Sequence, residues 1–173
     1  MEIGLTRISL SNAPQTGAVA TSYYGSFYDN TRQPVVTPLS TQFVNIGNTF
    51  LSNGVTIGSG TDIIFANAGV YSVQFRLQIE NLGSQEHTAY YYLNYMGVAL
   101  ANTSTILTIP RQHTGGSGWV TAIGQYTLNV NAGDNVQIVW TADNGNVRIE
   151  PVASPAFPIP QSAAVVVNVS KIN

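Results

Sequence analysis

The chain contains no cysteine, which excludes a disulfide framework, a thiol nucleophile and a thiolate metal site. Charge is scarce too. Only 8% of the 173 residues are Asp, Glu, Lys or Arg, against about a quarter in ordinary soluble domains. With six basic residues, eight acidic ones and a net charge of −2, there is no basic footprint for nucleic acid. There is equally no polybasic patch for a membrane surface. No uninterrupted apolar run approaches membrane-spanning length. The start, MEIGLTRISLSNAPQ, lacks the basic-then-apolar order of a signal peptide. The chain is therefore expected to be made and used inside a cell, or carried out by an assembly. Helical stripes with capping signals are missing, and no long period repeats, which excludes a propeller or solenoid.

What the chain does hold is strand. Its hydrophobic content of 44% suffices for the core of one domain, and its polar surface falls to Ser, Thr, Asn and Gln. GVYSVQFRLQIEN, Gly69 to Asn81, alternates most cleanly: Tyr71, Val73, Phe75, Leu77 and Ile79 share one face. Ser72, Gln74, Arg76, Gln78 and Glu80 share the other. That is the period of a half-buried strand. GWVTAIGQYTLNV alternates through Val120, Ala122, Tyr126, Leu128 and Val130, and NVQIVWTA through Val136, Ile138, Trp140 and Ala142. The turn NAGD joins these two. DNGN, Asp143 to Asn146, predicts a hairpin, because Asn and Gly tolerate the positive φ of tight turns. Earlier strands are expected in TSYYGSFYDN, in TQFVNIGNTF, and twice within NGVTIGSGTDIIFANAG. About eight to ten short strands between Gly, Asn and Pro turns read as an all-β sandwich or barrel. Residues 1–20 alternate weakly and read as an N-terminal arm, with one short strand around Gly4 to Leu10; residues 21–173 read as the domain.

Catalytic signals are missing. His87 in SQEHTA and His113 in RQHTGG have only Glu86 as a nearby carboxylate, and both read as solvated loop histidines. No nucleophile elbow or oxyanion loop accompanies them. The scattered acids supply no carboxylate pair for glycoside hydrolysis, and Asp143 alone is no calcium cage. IGSGTD and TGGSGW open no helix, so phosphate cradling fails its structural test. The run YYYLNYM, with Tyr90 and Tyr92, is a candidate platform for stacking sugars or bases, but aromatic residues on a strand more commonly fill a core or a subunit interface. The expectation is a non-enzyme without cofactor or metal.

The chain closes on SAAVVVNVSKIN, which is apolar on both faces. Strict alternation puts Ala163, Val165, Val167 and Val169 on one side, and Ala164 and Val166 on the other. Two arrangements would cover such a strand: a subunit interface, or burial within one monomer under the loop PAFPIP.

Several of these segments resemble the jelly roll of the tumour-necrosis-factor and complement globular-head superfamily. FANAGVYSVQFRL is similar to that family's Gly-x-Tyr-x-x-x-Phe strand, here Gly69, Tyr71 and Phe75. LNVNAGDNVQIVW is similar to its second marker, here Leu128, Gly133, Asp134, Val136 and Ile138. A closer likeness is to the version of this domain in structural proteins of tailed bacteriophages, cyanophages included. YGSFY at Tyr24 to Tyr28 matches their opening stretch, and PAFPIPQSAAVVVNVSKI matches their proline-rich approach to a valine strand. YLNYMG, Tyr92 to Gly97, only loosely echoes their Trp-Leu-x-x-Asn-Gly strand end, with Met96 where Asn is usual. The likeness spans Tyr23 to Ile172.

This resemblance implies a jelly-roll sandwich that trimerises through its inner sheet, with the C-terminal strand inside that sheet. One face of the strand would pack on its own core and the other would approach partner protomers, with Ala164, Val166, Tyr90 and Tyr92 as interface candidates. It further implies a virion structural protein made in the host cytoplasm. The expected role is a trimeric capsid decoration (cement) protein on the capsid exterior, whose arm grips the major capsid protein or other virion proteins. The short arm and the absence of a stalk favour that role. The alternative is a receptor-binding tail tip whose tyrosines and loops recognise host surface glycan.

Overall fold

The computed structural model describes residues 22–153 and 160–172. The arm with its expected strand at Gly4 to Leu10, and all of PAFPIP but Pro160, lie outside the described residues. Fourteen strands follow in chain order: β1 (Tyr24–Asp29), β2 (Gln33–Pro34), β3 (Gln42–Phe43), β4 (Asn48–Asn53), β5 (Val55–Gly58), β6 (Asp62–Phe65) and β7 (Gly69–Asn81). Then come β8 (His87–Tyr95), β9 (Val98–Ala99), β10 (Thr105–Ile109), β11 (Gly118–Val130), β12 (Asn135–Ala142), β13 (Val147–Ile149) and β14 (Val165–Lys171).

These form two curled sheets, antiparallel in every pairing. Sheet A sets β4, β1, β14, β7 and β11 side by side. One edge of β7 pairs with β11 over its whole length; the other carries β14 and then, further along, β13 with β2 beyond it. Sheet B runs β10-β8-β12-β6-β5, with β3 on β12 and β9 on β8. The pairings are nested: β8 with β10, β7 with β11, β6 with β12, and β1 with β14. The chain thus doubles back about the β8–β10 connection as one long ribbon.

A single core lies between the sheets, an arrangement compatible with a β-sandwich. The inward residues of β7 and β14 (Tyr71, Val73, Phe75, Leu77, Val165, Val167, Val169) meet Phe65, Leu93, Ile138 and Trp140 of sheet B, all buried. Aromatic edges stitch the two layers: Phe65 meets Tyr71 at 4.8 Å between ring centroids, and Phe75 meets Tyr91 at 5.4 Å. Such edge-to-face pairs suit the ring quadrupole and add to plain area burial.

Two expectations need correction. DNGN is not a hairpin: β12 belongs to sheet B and β13 to sheet A, so the turn carries the chain across the core. Its local bonds still hold, with the Asn146 N–H donating to Asn144 Oδ1 at 2.9 Å and the Val147 N–H to the Asn144 carbonyl at 3.2 Å. TQFVNIGNTF is likewise not one strand. It splits into β3 on sheet B and β4 on sheet A, because Val44 and Ile46 between them are drawn into the core. Their N–H groups donate to the Ile138 and Gly60 carbonyls, at 2.8 and 2.6 Å.

Candidate functional site

The outer face of sheet A is built from the polar halves of its alternating strands. Register across the sheet sets these residues in rows. One row reads Ile123 (β11), Arg76 (β7), Val166 (β14), Tyr28 (β1). The next reads Gln125, Gln74, Asn168, Ser26, and the one after it Thr127, Ser72, Ser170, Tyr24. On the other side of Arg76 lie Gln78 and Thr121. Across all four rows Arg76 is the one charged side chain.

Ile123 is 61% exposed, and Phe50 of β4, 64% exposed, stacks on Tyr28 with ring centroids 4.1 Å apart. Beside them runs a groove of about 590 Å³ lined by Tyr28, Phe50, Arg76, Pro160, Ser162 and Val166. The Arg76 guanidinium donates to Ser162 Oγ at a long 3.4 Å and makes no ion pair among the described residues. Two other arginines among the described residues are paired with carboxylates. Arg148 bridges Glu80 (2.7 Å) and Glu150 (3.1 Å), and Arg32 reaches Glu150 at 2.6 Å.

Val166 lies on this face, half-buried between neighbours that point inward. Ala164 does not. The strand begins at Val165 and the chain bends at Ala164, so strict alternation fails there: Ala164 is fully buried in the protomer's own core and Ala163 turns to the groove. Gln78 fixes the bend, its N–H donating to the Ala164 carbonyl (2.9 Å) and its Nε2 to the Ala163 carbonyl (2.6 Å). Tyr90 and Tyr92 lie on the opposite side of the molecule. They project from the outer face of sheet B, where Tyr90 sits between Ile106 and Thr141, and Tyr92 beside Val139. Within one protomer the structure does not bring them to Val166.

The remaining marker residues are structural. Tyr71, Phe75, Val136 and Trp140 are buried in the core and Leu128 packs against it. Gly69 opens β7 at φ 147, and Gly133 takes φ 88 in the β11–β12 turn, both backbone states open to glycine. Asp134 follows, accepting the Tyr95 hydroxyl and the Asn131 N–H (2.6 Å), which hold its carboxyl below its usual range. The same bond raises the Tyr95 phenol.

Two features escaped sequence reasoning. Arg76 looked like any polar position of an alternating strand; only the register reveals that its neighbours are apolar. His87, expected to be solvated, is mostly buried, and its Nδ1 lies 3.1 Å from Asp143 Oδ1, fifty-six positions away by number. Asp143 also accepts the Thr88 N–H at 3.0 Å, so the pair locks the start of β8 to the β12–β13 turn. His113 lies in a separate polar cleft with Glu86 and Arg111. Among the described residues no group of three His, Cys, Asp or Glu is placed to hold a metal ion. No helix there is long and apolar enough to cross a membrane. No protein-family model matches the chain, and no curated protein matches it in sequence.

Proposed function

We propose that the protein is a trimeric jelly-roll component of a tailed-phage virion, acting as a decoration (cement) protein on the capsid exterior. One observation carries the trimer. β14 lies inside sheet A between β7 and β1, buries Val165, Val167 and Val169 in its own core, and leaves Val166 on an outer face with Ile123, Tyr28 and Phe50. A nearly uncharged face with exposed apolar side chains suits a contact between protein surfaces. The jelly-roll reading draws on the nested ribbon, whose strands β1, β6, β7, β8 fall in sheets A, B, A, B and whose returning strands β10, β11, β12, β14 fall in B, A, B, A. The phage setting rests on the sequence likeness of YGSFY and the closing valine strand.

A trimer matches the local threefold positions of a capsid lattice, where each copy meets an equivalent surface. The deciding measurement is quantitative protein analysis of purified virions. Hundreds of copies per particle are expected for cement. A few copies confined to the tail would replace this reading with receptor binding, for which Tyr90 and Tyr92 on the outer face of sheet B offer one stacking surface.

A further inference from the structure

We propose that Arg76 is neutralised in the trimer by a carboxylate of the neighbouring copy, and that this carboxylate is Glu86. The inference rests on the trimer reading above and names the contact that closes it. Arg76 stands at the centre of the outer face of sheet A, flanked across strands by Ile123 and Val166. Covering that face removes the water that now solvates the guanidinium. A cation desolvated without a counter-ion opposes association, so the covering surface must bring an anion.

Among the described carboxylates one is both exposed and without a partner. Asp143 holds His87, Glu80 holds Arg148, and Glu150 holds Arg32 and Arg148. Asp29 accepts the Thr31 and Gly47 N–H groups, Asp62 accepts Asn135 Nδ2, and Asp134 accepts Tyr95 and Asn131. Glu86 alone among them is exposed with no hydrogen-bond partner among the described residues. Arg111 lines the same cleft as Glu86 but forms no ion pair with it.

Glu86 cannot serve Arg76 of its own protomer. From Arg76 to Asn81 the extended strand covers roughly 16 Å, and Glu86 belongs to the loop beyond that end, where Asn81 Nδ2 donates to the Gln85 carbonyl at 2.9 Å. The pair therefore forms between copies. Because Arg76 and Glu86 occupy different patches, the contact is head-to-tail, the kind that closes into a ring. The groove beside Arg76, walled by the Tyr28–Phe50 stack, is open to an incoming loop.

Charge exchange tests this on the purified full chain, with mass followed by light scattering across a dilution series. Arg76→Glu and Glu86→Arg should each weaken association at least about 30-fold, and the double variant should recover most of the loss. Glu86 is exposed, so Glu86→Arg is expected to fold normally, and its unfolding midpoint checks that. A trimer unaffected by Glu86→Arg, or a double variant no better than the single ones, overturns the pairing and leaves the trimer standing. A wild-type chain that runs as a monomer at micromolar concentration overturns both.

Discussion

Met96 holds a left-handed backbone at φ 51, followed by Gly97 at φ 82, and together they turn β8 into β9. That conformation costs an L side chain roughly 1–2 kcal/mol, and Asn bears it better than Met. Met96→Asn is expected to raise stability by about 1 kcal/mol, read as a higher midpoint in urea or heat. A lower midpoint would show that the Asn135 N–H contact to Met96 Sδ, at 3.2 Å, outweighs the strain. Thr141 offers a second case. Its hydroxyl is buried with no hydrogen-bond partner among the described residues, so it keeps a desolvation cost and returns nothing. Thr141→Val has the same shape without the hydroxyl and should gain about 1 kcal/mol. No gain in the unfolding midpoint would mean that a solvent molecule satisfies the group.

Between elements, Gly124 of β11 lies directly opposite Phe75 of β7. A Cβ there would sit 2.3 Å from the Phe75 ring, which also packs edge-to-face with Tyr91. Gly124→Ala should therefore cost about 1–3 kcal/mol through overpacking, and trimming the ring in Gly124→Ala/Phe75→Leu should return part of it. The β8 end and the β11–β12 turn are joined by Tyr95 and Asp134. Because the Asp134 carboxyl is held below its unfolded value, its contribution is full above the ordinary carboxylate range and is lost as pH falls through the lowered value. The stability gap between wild type and Tyr95→Phe should be widest at neutral pH and narrow in acid; a gap constant down to pH ~3 would assign the loss to packing. Elements with one face buried were readable in advance. GVYSVQFRLQIEN, GWVTAIGQYTLNV and NVQIVWTA coincide with β7, β11 and β12 to the residue, because a core on one side and water on the other writes period two into the chain. β4 carries no such pattern, all six of its residues being exposed. Nor does a short turn reveal which sheet its second strand will join, which is why DNGN misled. The candidate site was legible only in part for the same reason: Val166 follows from alternation, but the bend that reverses Ala164 depends on Gln78, far away in sequence.

For the whole molecule, the trimer reading makes Val166→Asp informative. Val166 is half-exposed, so the variant should keep its fold and thermal midpoint nearly unchanged while its mass in light scattering falls from three chains to one. A variant as trimeric as the parent would move the interface to another face. The place of β14 has one more effect, in time rather than in space. The ribbon can zip outward from the β8–β10 connection as synthesis proceeds, each added pair joining residues further apart in the chain. Its outermost pair, β1 with β14, is the slowest to close on grounds of loop entropy. Until Val165–Lys171 has left the ribosome, β1 and β7 face each other across an empty slot with bare hydrogen-bonding edges. Nascent chains crowded on one messenger would offer those edges to each other, so the step most exposed to error in making this domain is the insertion of β14 between β1 and β7.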